Sequence, residues 1–340
     1  MSQPINRQWR LKNRPVGMID ENDFSWHEEA VRQPEKDEVL VRSVYLSLDP
    51  TNRIWITDMP QYMEPVQVGD VMRGIAIGVV ETSEHANFAP GDIVSGMWGW
   101  QEYATLPAQQ LTKIPSDLPV PLDAWTSVLG PTGMTAYFGL LDIGQPKQGE
   151  TVIVSAAAGA VGSLVGQIAK IKGCRAVGLA GTDEKCNWLT NDLGFDAAVN
   201  YKTTELDKAI AEACPDGIDI NFENVGGKIL DTILTQINMR ARIVLCGLIA
   251  NYNSDEPVPG PYHFAQILMQ RARLEGFIIL DYIPQFPHAI AEMATWLAEG
   301  KLKYKVDVVK GLKEAPTAVN YLFTGRNIGK LVVQVSDLPK

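Results

Sequence analysis

Several absences narrow this chain before any motif is considered. No apolar run is long enough to cross a bilayer; the longest, over residues 152–165, is interrupted by serine and glycine. The first ten residues contain no apolar core of the kind a secretory signal needs, so the expectation is a cytoplasmic protein with no membrane partner. Positive charge is scarce, with 30 Lys and Arg against 40 Asp and Glu for a formal net charge of −10. A surface this acidic repels phosphate backbones, and no nucleic-acid partner is expected. A local basic pocket for one small anion stays open.

Histidine and cysteine are equally sparse, four of each. His27, His85, His263 and His288 share no ligand spacing with Cys174, Cys186, Cys214 or Cys246, and there is no CxxC pair, so no metal site is expected. The thiols fit reduced, buried, small apolar residues. The run beginning at His27 is not HExxH, and no GxSxG elbow occurs. Gly325-Arg-Asn-Ile-Gly-Lys330 lacks the length and the hydroxyl of a phosphate loop. Zinc hydrolysis, serine hydrolysis and P-loop nucleotide hydrolysis are thereby set aside.

What is present is an ordered change of period along 340 residues, a length that favours two domains. Residues 38–45, 71–81 and 92–98 are rich in β-branched and aromatic residues, with turn residues between them. They predict a compact antiparallel barrel or sandwich. Residues 123–141 show helical spacing, broken at Gly130-Pro131. Strands are then expected at 151–156, 175–180, 197–201, 219–225, 241–247 and 274–279. Helices are expected at 163–172, 183–193, 206–213, 228–236 and 261–272. Nearly continuous apolar strands alternating with helices make an α/β doubly wound parallel sheet. The tail returns to short strands at 306–309 and 331–335 around a helix at 312–323. The expected domains are therefore 126–305 for the Rossmann part, and 1–125 with 306–340 for the β part.

The chemistry is most legible at Val152-Ile-Val-Ser-Ala-Ala-Ala-Gly-Ala-Val-Gly162, a dinucleotide fingerprint with Ala156 in the first glycine position. Gly159 lets the backbone approach a pyrophosphate, and Gly162 lets the following helix pack closely on the strand. At the end of the second strand, Gly181-Thr-Asp-Glu-Lys185 leaves room, and Lys185 can reach a 2′-phosphate, which favours NADP(H) over NAD(H). Asp183 and Glu184 oppose that reading unless they are first-turn helix residues.

With Val44-Tyr-Leu-Ser-Leu-Asp-Pro50, Gly166-Gln-Ile-Ala-Lys170, Glu223-Asn-Val-Gly-Gly227, Pro259-Gly-Pro261 and Asn327-Ile-Gly-Lys330, the chain resembles a known family. This is the zinc-free branch of the medium-chain dehydrogenase/reductases, in the group of leukotriene B4 12-hydroxydehydrogenase, prostaglandin reductase, alkenal double-bond reductase and curcumin reductase. The resemblance implies a GroES-like β-barrel domain beside the Rossmann domain, and a homodimer joined at the Rossmann sheet edges. It implies NADPH-dependent reduction of the C=C bond of an enone or enal. It places Gly159, Ala160, Val161, Gly162 and Asn224 on the cofactor, and Lys185 and Tyr201 beside its 2′-phosphate. Cys246, Gly247, Leu248, Ile249, Tyr252, Phe277, Ile278 and Ile279 then line the nicotinamide half, and Asn327 closes it from the tail. Tyr252 is the family's candidate donor to the developing enolate oxygen, with packing or a ribose contact as its other role. A zinc-free quinone reductase and a non-catalytic NADPH-binding protein share these features. One departure concerns substrate: the family's aromatic after Asp49-Pro50 is here Thr51.

Overall fold

The computed structural model describes residues 4–115 and 120–338. One unit takes Met1–Thr126, Val306–Arg326 and Leu331–Lys340; the other takes Ser127–Lys305 and Asn327–Lys330. The tail is thus not wholly part of the β unit: four residues of it return to the Rossmann unit.

In the first unit, β1 (Ile5–Leu11) and β2 (Phe24–Ala30) pair antiparallel with Trp9 opposite Trp26, whose rings meet edge-on at 5.0 Å. After β3 (Glu38–Ser47) come the short α1 (Thr51–Trp55), β4 (Ala76–Ser83), β5 (Ile93–Gly96), β6 (Tyr103–Pro107) and β7 (Leu111–Lys113). Strand β3 is the hub, pairing antiparallel with both β4 and β6. It is the longest of these strands because Val39, Val41, Val44, Tyr45 and Leu46 are all buried and β-branched or large. The strand expected over 71–81 begins only at Ala76. Val71 makes a single bridge to Arg10, and Gly74 lies so close to Leu46 and Trp100 that a Cβ would sit 2.8 Å from each.

The second unit opens with α2 (Pro131–Phe138), which runs into a π-helical turn, Gly139–Gly144. Then β8 (Thr151–Val154), α3 (Gly162–Ile171), β9 (Arg175–Ala180), α4 (Asp183–Asn187) and β10 (Ala197–Asn200) follow. After them come α5 (Leu206–Ala213), β11 (Ile218–Glu223), α6 (Gly227–Leu234), β12 (Ile237–Leu245), α7 (Ala265–Met269), β13 (Arg273–Gly276) and α8 (Phe286–Ala298). The strands form one parallel sheet in the order β10-β9-β8-β11-β12-β13, the doubly wound arrangement expected. Its central strands are buried, with Val152, Ile153, Val177, Leu179, Ile220 and Phe222 inaccessible, although β11 alternates its apolar residues with Asp219, Asn221 and Glu223. Helix α3 lies tight on the sheet: at Gly166 a Cβ would meet the Phe195 ring at 1.9 Å.

Three expectations need correction. Helix α7 spans five residues, not 261–272; residues 262–264 before it form turns. Strand β13 stops at Gly276 and is an exposed edge, whereas the expected strand ran over 274–279. Helix α8 was not anticipated, although Ala289, Met293 and Trp296 bury one stripe at helical spacing. The tail supplies β14 (Val306–Lys310), α9 (Ala315–Ala318), α10 (Tyr321–Thr324) and β15 (Lys330–Gln334); β15 pairs with β3 in the first unit's sheet. No described helix is long and apolar enough to cross a membrane.

Candidate cofactor and active site

In a doubly wound sheet, ligands bind outside the carboxyl ends of the strands, where the strand order reverses. Here that point lies between β8 and β11, paired through Val154 and Phe222. The residues just past these two strands and β12 form the candidate site.

The loop after β8 turns sharply. Ala156 holds φ at +50°, a left-handed conformation that an L side chain adopts at a cost. This is the position glycine occupies in the three-glycine form of the motif. Gly159 donates to the Ala156 carbonyl at 3.0 Å, and only that carbonyl lies within 4 Å of where its Cβ would be. At Gly162 a Cβ would fall 2.5 Å from the Ala156 oxygen, so only glycine allows α3 to start here. No side chain caps α3, and the Ser163 and Leu164 N–H groups bond back to Gly159 and Val161. Ala160, Val161 and Gly162 therefore form the backbone of the turn that opens α3. The tail joins this loop. Gly329 donates to the Ala158 carbonyl at 2.8 Å and bridges Gly159, and buried Asn327 donates to the Gly329 carbonyl at 3.0 Å.

At the end of β9, Gly181 lets Tyr201 and Lys202 approach the backbone closely. A Cβ there would stand 3.0 Å from the Tyr201 hydroxyl and 3.2 Å from Lys202 Cε. The Tyr201 ring packs on the core beneath, and burial pushes its hydroxyl pKa up. Thr182 caps α4 by accepting from the Lys185 N–H at 3.3 Å. Asp183 and Glu184 are first-turn residues, and the Asp183 carboxylate accepts from Asn200 Nδ2 at 2.7 Å. That bond directs the acid toward β10. Lys202 was not singled out in the sequence, because a lysine after a strand carries no signal until the fold brings it to Gly181.

The loop after β12 is zipped onto the segment after β11. Cys246 and Gly247 both donate to the Glu223 carbonyl, at 2.9 and 3.0 Å, and Ile249 donates to the Asn224 carbonyl at 3.1 Å. Leu248 lies over Gly226, 2.8 Å from where a Cβ would be. The Leu248 N–H donates to the Tyr252 hydroxyl oxygen at 3.1 Å, and that hydroxyl is 3.1 Å from the place of a Gly247 Cβ. Burial and the Glu223 charge push the Cys246 thiol up to about 12, so it stays neutral. Phe277 differs in direction from the rest. Its ring packs against Gly139 and edge-on to Tyr282 at 6.3 Å, so it reaches toward α2, with Ile278 and Ile279 following it at the end of β13. Two polar residues that tie this region together, Ser155 and Glu223, were also missed. The available signal was the alternation of Asp219, Asn221 and Glu223 with apolar residues inside a parallel strand.

In the first unit, Thr51 forms a short hydrogen bond with the Tyr62 hydroxyl, which also accepts from Trp55 Nε1 at 2.9 Å. Tyr62 is 42% exposed, so an aromatic ring is presented next to the position where the family's aromatic is missing. Among the described residues, no three His, Cys, Asp or Glu side chains come together as metal ligands. A solvent-open groove of about 530 Å³, lined by Glu184, Trp188 and Lys305 among others, contains none of the candidate residues.

The comparisons agree with this geometry. Residues 7–114 match a family model described as the N-terminal domain of oxidoreductase, and residues 160–298 match the model of zinc-binding dehydrogenase. The NADPH-dependent curcumin reductase of Escherichia coli (strain K12) is 44% identical over 337 residues, covering 97% of each chain. The NADP(+)-dependent 2-alkenal reductase of Nicotiana tabacum is 43% identical, covering 97% of this chain and 98% of the relative. A solved structure of CurA from Vibrio vulnificus in complex with NADPH superposes with a TM-score of 0.93 at 43% identity, over 98% of this chain and all of the other. The chain belongs to the medium-chain dehydrogenase/reductases, in the family that holds the curcumin, 2-alkenal and prostaglandin reductases.

Proposed function

We propose that this protein reduces the carbon–carbon double bond of α,β-unsaturated ketones and aldehydes with NADPH. The observation that carries the reading is the loop after β12, which brings the Tyr252 hydroxyl to Gly247 at the carboxyl edge of the sheet, fixed by the Leu248 N–H. When bound, NADPH supplies a hydride to the substrate's β-carbon, and negative charge then builds on the carbonyl oxygen. Tyr252 is the donor proposed for that oxygen. Its oxygen already accepts from a backbone N–H, which fixes the direction of the O–H and polarises it. Protonation at the α-carbon completes the two-electron reduction.

The chain's residues fit the cofactor along its length. Gly159, Ala160, Val161 and Gly162 hold the pyrophosphate at the start of α3, and Lys185 and Tyr201 flank the 2′-phosphate beside Gly181. Asn224, Cys246, Gly247, Leu248 and Ile249 form one hydrogen-bonded wall for the nicotinamide half, with Ile278, Ile279 and the backbone of Phe277 beyond it and Asn327 tied to the phosphate loop. The free thiols suit a reducing cytoplasm.

The test is NADPH oxidation measured across enals, enones, diarylheptanoids and quinones, with product analysis. Saturated ketones or aldehydes with the carbonyl intact are expected, at rates above those for quinones. Faster quinone turnover would move the chain to quinone reduction, and no oxidation with any acceptor would leave a binding protein only.

We also propose a homodimer built on β13. Among the described residues this strand pairs only with β12, and Leu268, Met269 and Leu274 beside it are 73%, 58% and 36% exposed. An unpaired edge flanked by apolar side chains invites a second copy of itself. Sedimentation equilibrium at micromolar concentration should give twice the 37.4 kDa chain mass. A monomer under those conditions would dismiss this interface.

A further inference from the structure

We propose that Glu223 and Ser155 are positioning residues that hold the cofactor wall in its binding conformation, an inference that rests on the cofactor reading above. Both side chains are inaccessible, as is Asn221. Burying a carboxylate is costly unless several hydrogen bonds replace its water. Glu223 meets that condition, and among the described residues no ion pair to it occurs. Its Oε1 accepts from Ser155 Oγ at 2.8 Å, from the Val225 N–H at 2.7 Å and from the Gly226 N–H at 2.8 Å. Its Oε2 accepts from Asn221 Nδ2 at 3.0 Å. Ser155 relays the restraint: its Oγ accepts from the Asn224 N–H at 2.7 Å, and its carbonyl accepts from Asn224 Nδ2 at 2.7 Å.

Three consecutive N–H groups, those of residues 224, 225 and 226, are thus pinned by two side chains that span the reversal point between β8 and β11. The backbone of the same segment then positions the next loop, because the carbonyls of Glu223, Asn224 and Val225 accept from Cys246, Gly247, Ile249 and Ala250. Packing alone does not ask for a carboxylate here. Phe222, the residue before it, is apolar and fully buried. The acceptor at position 223 holds the turn through Gly226, whose φ is +78°, by taking the two successive N–H groups of Val225 and Gly226.

The experiment uses the full-length protein and measures NADPH dissociation constants by fluorescence titration, with amide hydrogen exchange of the unliganded protein alongside. Glu223→Ala should raise the NADPH Kd by about tenfold or more and speed exchange at residues 224–226 and 246–250. Glu223→Gln keeps an oxygen where three donors converge and should return the Kd to within about threefold of the parent. Ser155→Ala, a smaller change that serves if Glu223→Ala does not fold, should raise the Kd by about tenfold and speed exchange at Asn224. A folded Ser155→Ala protein with parental Kd and parental exchange at residues 224–226 would overturn the proposal. Failure of the parent itself to bind NADPH would instead overturn the cofactor reading, with the exchange rates still deciding whether the two side chains order the wall.

Discussion

Tyr252→Phe is expected to lower kcat for a simple enone by about 10²–10³, with little change in the KM for NADPH. The magnitude separates the two roles open to this residue. A donor to the developing enolate strengthens its bond only as charge appears, so its loss falls on kcat. If the hydroxyl only fastens the loop by accepting from Leu248, or contacts a ribose, a neutral hydrogen bond is at stake. Such a bond contributes about 0.5–1.5 kcal/mol, at most about tenfold and mainly in cofactor KM. The loop has its own fastenings that do not involve the hydroxyl: Cys246, Gly247, Ile249 and Ala250 all donate to the segment after β11. Phenylalanine should therefore leave the loop in place. The measurement is kcat and both KM values. A kcat within a few-fold of the parent would remove Tyr252 as enolate donor, while C=C reduction itself, which depends on the cofactor site, would stand.

Lys185→Ala is expected to weaken NADPH by about ten- to a hundredfold and to leave NADH almost unchanged, since a charge-assisted hydrogen bond contributes about 1.5–3 kcal/mol. The fold supports this selectivity at one corner. Gly181 gives β9 no side chain at its end, the Tyr201 hydroxyl stands there, and Asp183 is engaged by Asn200. The backbone contribution of residue 185 to the Thr182 cap survives in alanine, so the loop should keep its shape. Titrating the variant with NADPH and NADH in parallel decides it. Equal weakening of both would assign Lys185 to loop support and leave phosphate selection to its neighbours.

Periodicity in the chain was enough to determine much of the Rossmann half, though not α7, β13 or α8. Residues 175–180 and 206–213 coincide with β9 and α5, because runs such as Ala176 to Ala180 are apolar throughout and their helical neighbours bury one stripe. The phosphate loop was legible for the same local reason: the constraints on Gly159 and Gly162 act between residues a few positions apart. Acidic first-turn residues after Thr182 likewise follow from local helix chemistry.

Other features depend on distance in sequence. Whether β13 is buried or an edge cannot be seen in Arg273 to Gly276 themselves, since the answer is which strand lies next to it. Lys202 matters only because β10 sits beside β9 and brings it to Gly181. Ser155 and Glu223 are 68 positions apart and each is unremarkable alone, but adjacent parallel strands turn them into one hydrogen-bonded unit. Thr51 presents the same lesson in the first unit, where Tyr62 supplies a ring that the local motif lacks. Local propensity and period determined most of the elements and the phosphate loop. Only the tertiary structure decided which polar groups share a buried site, because burying a carboxylate or orienting a hydroxyl requires partners that only strand order and packing bring within hydrogen-bond reach.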